Sequence, residues 1–213
     1  MRLRGRSRPS SGPPRRPRPE LAAAALLLAV ACATARLPAP GVAEKARAAS
    51  SWSGSLRVSV SGKDLRGRSH ALVAFRRPDA VRIEIPGPAG ARLVAVTSSG
   101  RLTAVLPAER AVLESAAGPQ ELEALLGLAL SPSELMDVLV GIAPPGARSY
   151  EAHWGETLPR RVRARLADGT RLDARVDEAE PDVELPAAAF QPPPCNGCRR
   201  IDATEARRLL GGR

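Results

Sequence analysis

Apolar and polar residues alternate along much of the chain. From Ser55 to Ser61, Leu56, Val58 and Val60 fall between Arg57, Ser59 and Ser61, the two-residue period of a half-buried strand. The period returns over Ser69–Arg76, with Ala71, Val73 and Phe75 on one face and Leu72 and Ala74 on the other. Val81, Ile83 and Ile85 then alternate with Arg82 and Glu84. Strands are predicted over Arg92–Thr97 and Leu102–Leu106, joined by Ser98-Ser99-Gly100, and a short one over Ala111–Ser115. After an interruption, Tyr150, Ala152 and Trp154 oppose Glu151 and His153, and Val162, Ala164 and Leu166 oppose Arg161, Arg163 and Arg165. Asp168-Gly169 is a hairpin signal, after which Leu172, Ala174 and Val176 oppose Arg171, Asp173, Arg175 and Asp177. Asp182–Leu185 reads as a last short strand.

The interruption is the most apolar stretch of the chain, Leu122 to Pro144, and its period is helical. Leu122, Leu125 and Leu126 share one face of a short helix that Gly127 ends. Ser131-Pro132-Ser133-Glu134 starts another: Ser131 caps, Pro132 occupies the first turn, and Glu134 completes a capping box. Leu135, Val138, Leu139 and Ile142 follow at helical spacing before Gly141 and Pro144-Pro145 stop it. A short amphipathic helix is expected over Asp202–Leu210.

About ten strands linked by short turns make an antiparallel meander that must curl over something or close on itself. The helices are the available filling. Several presumed inward positions are small: Ala74, Ala95, Ala104, Ala152, Ala164 and Ala174. If the helices fill the space they leave, the interior is a plain core; if they pack as a lid, it is an apolar cavity. Composition favours the plain core.

Charge changes the picture only at the start. The net charge is +10, but residues 1–20 hold seven arginines and one glutamate, a net +6, which leaves +4 on the rest. With only five aromatic residues and no stacking platform, nucleic-acid binding is not expected. Residues 21–31 are an uncharged apolar run, too short to span a bilayer and suited to a signal peptide over residues 1–31. Cys32 directly follows Ala29-Val30-Ala31, which resembles a bacterial lipobox, although Ala29 stands where leucine is usual. The resemblance implies that Cys32 is lipidated; ordinary secretory cleavage is the alternative. Ala33, in place of aspartate, permits export to the outer membrane by the enterobacterial sorting rule. Residues 32–50 read as a tether, 51–190 as the domain, and 191–213 as a Pro- and Cys-containing end with a short helix.

The run DAVRIEIPGPAGARLVAV, the SSGRLTAVLP hairpin and QELEALLGLALSPSELMDVLVGIAPPGA together resemble the LolB-like outer-membrane lipoprotein receptors of the LolA/LolB fold. The resemblance implies a mainly β (α+β) fold: an unclosed, strongly curved antiparallel half-barrel of about ten to eleven strands, with two or three short helices as lid. It implies an acyl-chain cavity lined from the strands by Leu56, Val58, Val60, Leu72, Val81, Ile83, Ile85 and Leu93. Leu122, Leu125, Leu126, Leu135, Met136 and Leu139 would line it from the lid. The expected partners are acyl chains of lipoproteins or another lipid and a periplasmic LolA-like carrier, with the chain facing the periplasm from the outer membrane. The loop that carries a membrane-inserting leucine in LolB corresponds here to Gly87-Pro88-Ala89-Gly90, so Pro88 and Ala89 would form the insertion loop. Alanine contributes far less to insertion, which leaves a structural lipoprotein or another hydrophobic carrier as alternatives.

No catalytic constellation stands out, and the chain reads as a non-enzyme without cofactor or metal. Cys195-Asn196-Gly197-Cys198 lacks the histidine of a haem motif and the fold context of a thiol oxidoreductase. A local disulfide, a metal or redox role, and free thiols are its open readings. His70 and His153 are read as surface residues.

Overall fold

The computed structural model describes residues 37–62 and 66–211. Its spine is β1 (Ser51–Ser61), which pairs antiparallel with β2 (Arg66–Arg76) on one side and β9 (Arg171–Pro181) on the other. From β2 the meander runs through β3 (Ala80–Gly87), β4 (Gly90–Ser98), β5 (Arg101–Leu106) and β6 (Ala111–Ala116). From β9 it runs outward through β8 (Pro159–Arg165) to β7 (Ser149–Trp154). The ten-stranded sheet has the order β10-β6-β5-β4-β3-β2-β1-β9-β8-β7 and does not close into a barrel. Nine strands are antiparallel; β10 (Arg199–Arg200) pairs parallel with β6, so the sheet is mixed rather than wholly antiparallel.

Among the described residues four α-helices accompany the sheet: α1 (Val42–Ala48), α2 (Pro119–Leu126), α3 (Pro132–Leu139) and α4 (Ala203–Gly211). Because β6 lies next to one edge and β7 forms the other, α2 and α3 carry the chain from one side of the sheet to the other. Their apolar faces join the inward strand residues in one core cluster. The capping box on α3 is complete: the Glu134 amide donates to Ser131 Oγ at 3.3 Å, and the Ser131 amide donates to Glu134 Oε2 at 2.7 Å. Gly127 closes α2 at φ 71°, the left-handed conformation that glycine adopts without steric cost. Gly141 follows α3 at φ 90°, and a Cβ there would lie 2.5 Å from the Trp154 ring, so both backbone and packing require glycine.

Two readings of the sequence need correction. The segment taken as a tether carries α1, and Ala46 and Ala49 are buried, so ordered structure begins before β1. Asp182–Leu185 is not a strand. Asp182 turns the chain at φ 53°, its amide donating to Ser51 O at 2.8 Å. The chain then lays a 3-10 helix (Ala187–Phe190) on the outer face of the sheet. Phe190 packs there with Ala80, Val94 and Val96 in a second, smaller cluster. The residues after 190 return to the sheet through β10, and Ile201 and Ala206 are buried.

Candidate functional site

Side-chain size along the inner face of β2 decides where space remains. Read from the end of the strand to its start, the inward positions are Phe75, Val73, Ala71, Ser69 and Gly67. Phe75 stacks on its cross-strand partner Trp52 with ring centroids 5.9 Å apart, and both rings are fully buried. That end of the sheet is solid core. At the other end Leu56 faces Ala71, and Val60 faces Gly67, where a Cβ would meet nothing within 4 Å. The void left between the tapering strand and the helices is a cavity of about 410 Å³. This lies within the roughly 300–1,000 Å³ usual for small-molecule pockets. The plain core and the cavity of the sequence reading therefore coexist at opposite ends of one sheet.

Nine of the fourteen residues expected at the cavity line it: Leu56, Val58, Val60, Ile83 and Ile85 from strands, and Leu125, Leu126, Leu135 and Leu139 from helices. Val81, Leu93, Leu122 and Met136 are buried elsewhere: Val81 lies opposite Phe75 at the solid end, and Met136 points into full core with no exposure. Leu72 is a correction. It is 42% exposed on the outer face, because Phe75 sets the inward register of β2 where it pairs with β3 and places Leu72 and Ala74 outside. Leu72 instead borders an outer groove shared with Val183 and Leu185. Ala74 likewise lies on the outer face, and of the small residues noted in the sequence only Ala174 lines the cavity.

The sequence reading missed Ala71, Val73, Leu128, Val138, Leu172 and Leu210 as lining residues, although alternation gives the face of those on strands. It also missed the polar rim of Arg66, Arg68, Ser69 and Arg92. Arg92 owes its place to a register shift. Leu93 pairs with Ile85 and Ala91 with Pro86, so Arg92 is the extra residue of a β-bulge, a device that re-aims side chains. Its guanidinium donates to the carbonyl of Leu210 in the last turn of α4.

The helices are held unequally. Asp137 of α3 pairs with Arg77 at 2.8 Å, and Tyr150 Oη donates to Val138 O at 3.0 Å. Burial pushes the Tyr150 phenol well above its ordinary pKa, so it remains a donor. Helix α2 packs against α4, where Arg207 and Glu123 approach to 3.8 Å. On the outer face, Arg161 pairs with Asp173 and Arg57 with Asp177, and each arginine holds its partner's carboxyl below the usual carboxylate range.

Pro88 and Ala89 form the exposed turn between β3 and β4. Cys195 and Cys198 are joined by a disulfide with Cα atoms 5.5 Å apart. Cys32 lies outside the described residues. Among the described residues no group of three His, Cys, Asp or Glu side chains is placed to hold a metal, and no helix is long and apolar enough to cross a membrane.

No family model matches the chain, and no curated protein matches it. Among solved structures, an uncharacterized conserved protein from Thermus thermophilus is similar at 15% identity and TM-score 0.44, over 76% of this chain and 94% of that one. A LolA superfamily protein from Nitrosomonas europaea is similar at 10% identity and TM-score 0.41, over 74% of this chain and 99% of that one. A domain named for outer membrane lipoprotein sorting, from Vibrio parahaemolyticus, is similar at 7% identity and TM-score 0.38, over 70% of this chain and 94% of that one. The open sheet described above stands on its own strand pairing, independently of these likenesses.

Proposed function

We propose that this chain is a non-catalytic envelope lipoprotein that shelters acyl chains in the cavity between its sheet and its helices. The observation that carries the reading is the taper of β2, which leaves about 410 Å³ lined by aliphatic side chains beside an otherwise filled core. The aliphatic wall of that space favours removal of apolar surface from water, worth about 0.8 kcal/mol per buried CH₂. Cys32 is the proposed lipid anchor at the outer membrane, ten residues before α1 begins at Val42. The cargo is proposed to be a lipoprotein handed over by a LolA-like carrier. Ala89 at the exposed β3–β4 turn offers little insertion free energy, so holding cargo rather than driving it into a bilayer is the supported role.

Two measurements test this. Fluorescence of the neutral probe N-phenyl-1-naphthylamine should rise on mixing with the purified chain, and lipoprotein-loaded carrier should give up its cargo to it. Absence of probe binding sinks the cavity reading; probe binding without transfer leaves a hydrophobic carrier that does not serve lipoproteins. Cys32→Ser should abolish incorporation of labelled palmitate.

A further inference from the structure

The described charged residues at the rim of the cavity are all arginines. Among the described residues Arg66, Arg68 and Arg92 line it, and no Asp or Glu side chain does. Elsewhere on the domain arginines are commonly matched, as in Arg57–Asp177, Arg77–Asp137, Arg82–Glu84 and Arg161–Asp173. Arg66 and Arg68 have no ion pair among the described residues, and both are exposed. They flank Gly67, whose missing side chain leaves open space on the cavity side of the strand. Arg92 is presented from the other wall by the β4 bulge and has given one donor to the Leu210 carbonyl, which leaves further guanidinium N–H groups. An aliphatic chamber with an unneutralised guanidinium rim is complementary to one kind of molecule: an apolar chain ending in an anion. A guanidinium fork suits phosphate or carboxylate oxygens, and an unmatched cationic rim disfavours a cationic head.

We propose that the cavity selects amphiphiles with a negatively charged headgroup, the chain held among the aliphatic residues and the head held by Arg66 and Arg68 with Arg92 opposite. The proposal rests on the acyl-binding reading above and names the ligand class of the same site.

The test is displacement of N-phenyl-1-naphthylamine from the purified chain by three surfactants of equal chain length, each below its aggregation concentration. Dodecyl phosphate should compete roughly tenfold better than dodecyl maltoside at low salt, with dodecyltrimethylammonium weakest. The advantage should shrink as ionic strength rises. In the double variant Arg66→Gln/Arg68→Gln the phosphate advantage should fall to about twofold or less, while the neutral probe still binds and so reports an intact fold. Inorganic phosphate alone should not displace the probe. Equal competition by the three surfactants overturns the proposal, as does a phosphate advantage unchanged in the variant. Displacement by inorganic phosphate overturns it in favour of a free-anion site. Failure of the probe to bind the unaltered chain removes the acyl-binding reading itself and this inference with it.

Discussion

Gly67→Leu separates a cavity from a core by the sign of its effect. Gly67 lies on the inner face of β2 opposite Val60, and a Cβ added there meets nothing within 4 Å. In a filled interior, inserting a leucine side chain forces neighbours out of their rotamers and costs about 1–3 kcal/mol. Here the side chain enters open space. Replacing glycine in a strand also removes backbone freedom from the unfolded chain, a gain of about 0.5–1 kcal/mol. Stability should therefore hold or rise by up to about 1 kcal/mol, read as the midpoint of urea unfolding. Ligand binding should move the other way. The four added carbons occupy room that three or four methylenes of an acyl chain would fill, at about 0.8 kcal/mol each. The loss is about 2.4–3.2 kcal/mol, a weakening of roughly 50- to 200-fold in the affinity for dodecyl phosphate. Destabilisation beyond about 1 kcal/mol, or unchanged affinity in a stable variant, would refute the view that the tapered end of the sheet is the binding chamber.

Other outcomes follow from the same geometry. Ser131→Ala removes the α3 capping box and should cost about 1 kcal/mol, a drop of roughly 2–4 °C in thermal midpoint by calorimetry. Met136→Ala should cost about 2–5 kcal/mol, because Met136 is fully buried off the cavity, and should leave the affinity of the folded remainder unchanged in probe titrations. Leu126→Ala, at a partly buried lining position, should do the reverse: a small stability change and a clear loss of probe affinity. Asp173 has its folded pKa lowered first by the hydrogen bond from Arg161, so its contribution is present above the ordinary carboxylate pKa and is lost as pH falls through the folded value. Asp173→Asn should accordingly flatten acid destabilisation below about pH 4, by less than about 1 kcal/mol because the pair is largely solvated, as read from urea midpoints across pH.

The strands were legible because one face of each must meet the core, and two-residue alternation records that demand directly. The α3 start was legible for a different reason: Ser131, Pro132 and Glu134 are local signals whose geometry needs no tertiary partner. Where both faces are apolar the pattern weakens. Ala71 and Leu72 were both plausible lining residues until Phe75, stacked on Trp52, set the register of β2. β10 left no trace, since two arginines have no periodicity and pair only because the chain after Cys198 runs beside β6. α1 is short and rich in alanine, and becomes visible only through the burial of Ala46. The rim was hidden for a deeper reason. Arg92 faces the cavity because of a one-residue register shift against β3, and a bulge of that kind is a property of two strands together.

The stretch Leu122–Pro144 reads from sequence as one lid, yet the helices at the chamber include the C-terminal α4, and α3 and α4 are bound by different terms. Displacing α3 exposes Met136, Val138 and Leu139, each worth about 1.5–3 kcal/mol of burial, and breaks the Arg77–Asp137 and Tyr150–Val138 contacts. Displacing α4 exposes one fully buried residue, Ala206, along with the half-buried Leu209 and Leu210. It breaks one arginine-to-carbonyl hydrogen bond, worth about 1 kcal/mol net, and two solvated ion pairs, Arg207–Glu123 and Arg199–Glu205, each worth about 1 kcal/mol or less. The difference is several kcal/mol, so the easier route to the chamber runs past α4 and the outer side of α2. Arg92 ties this point together, because the guanidinium that holds the end of α4 also lines the cavity. A headgroup bound at Arg92 as proposed above would compete with the Leu210 carbonyl for the same guanidinium.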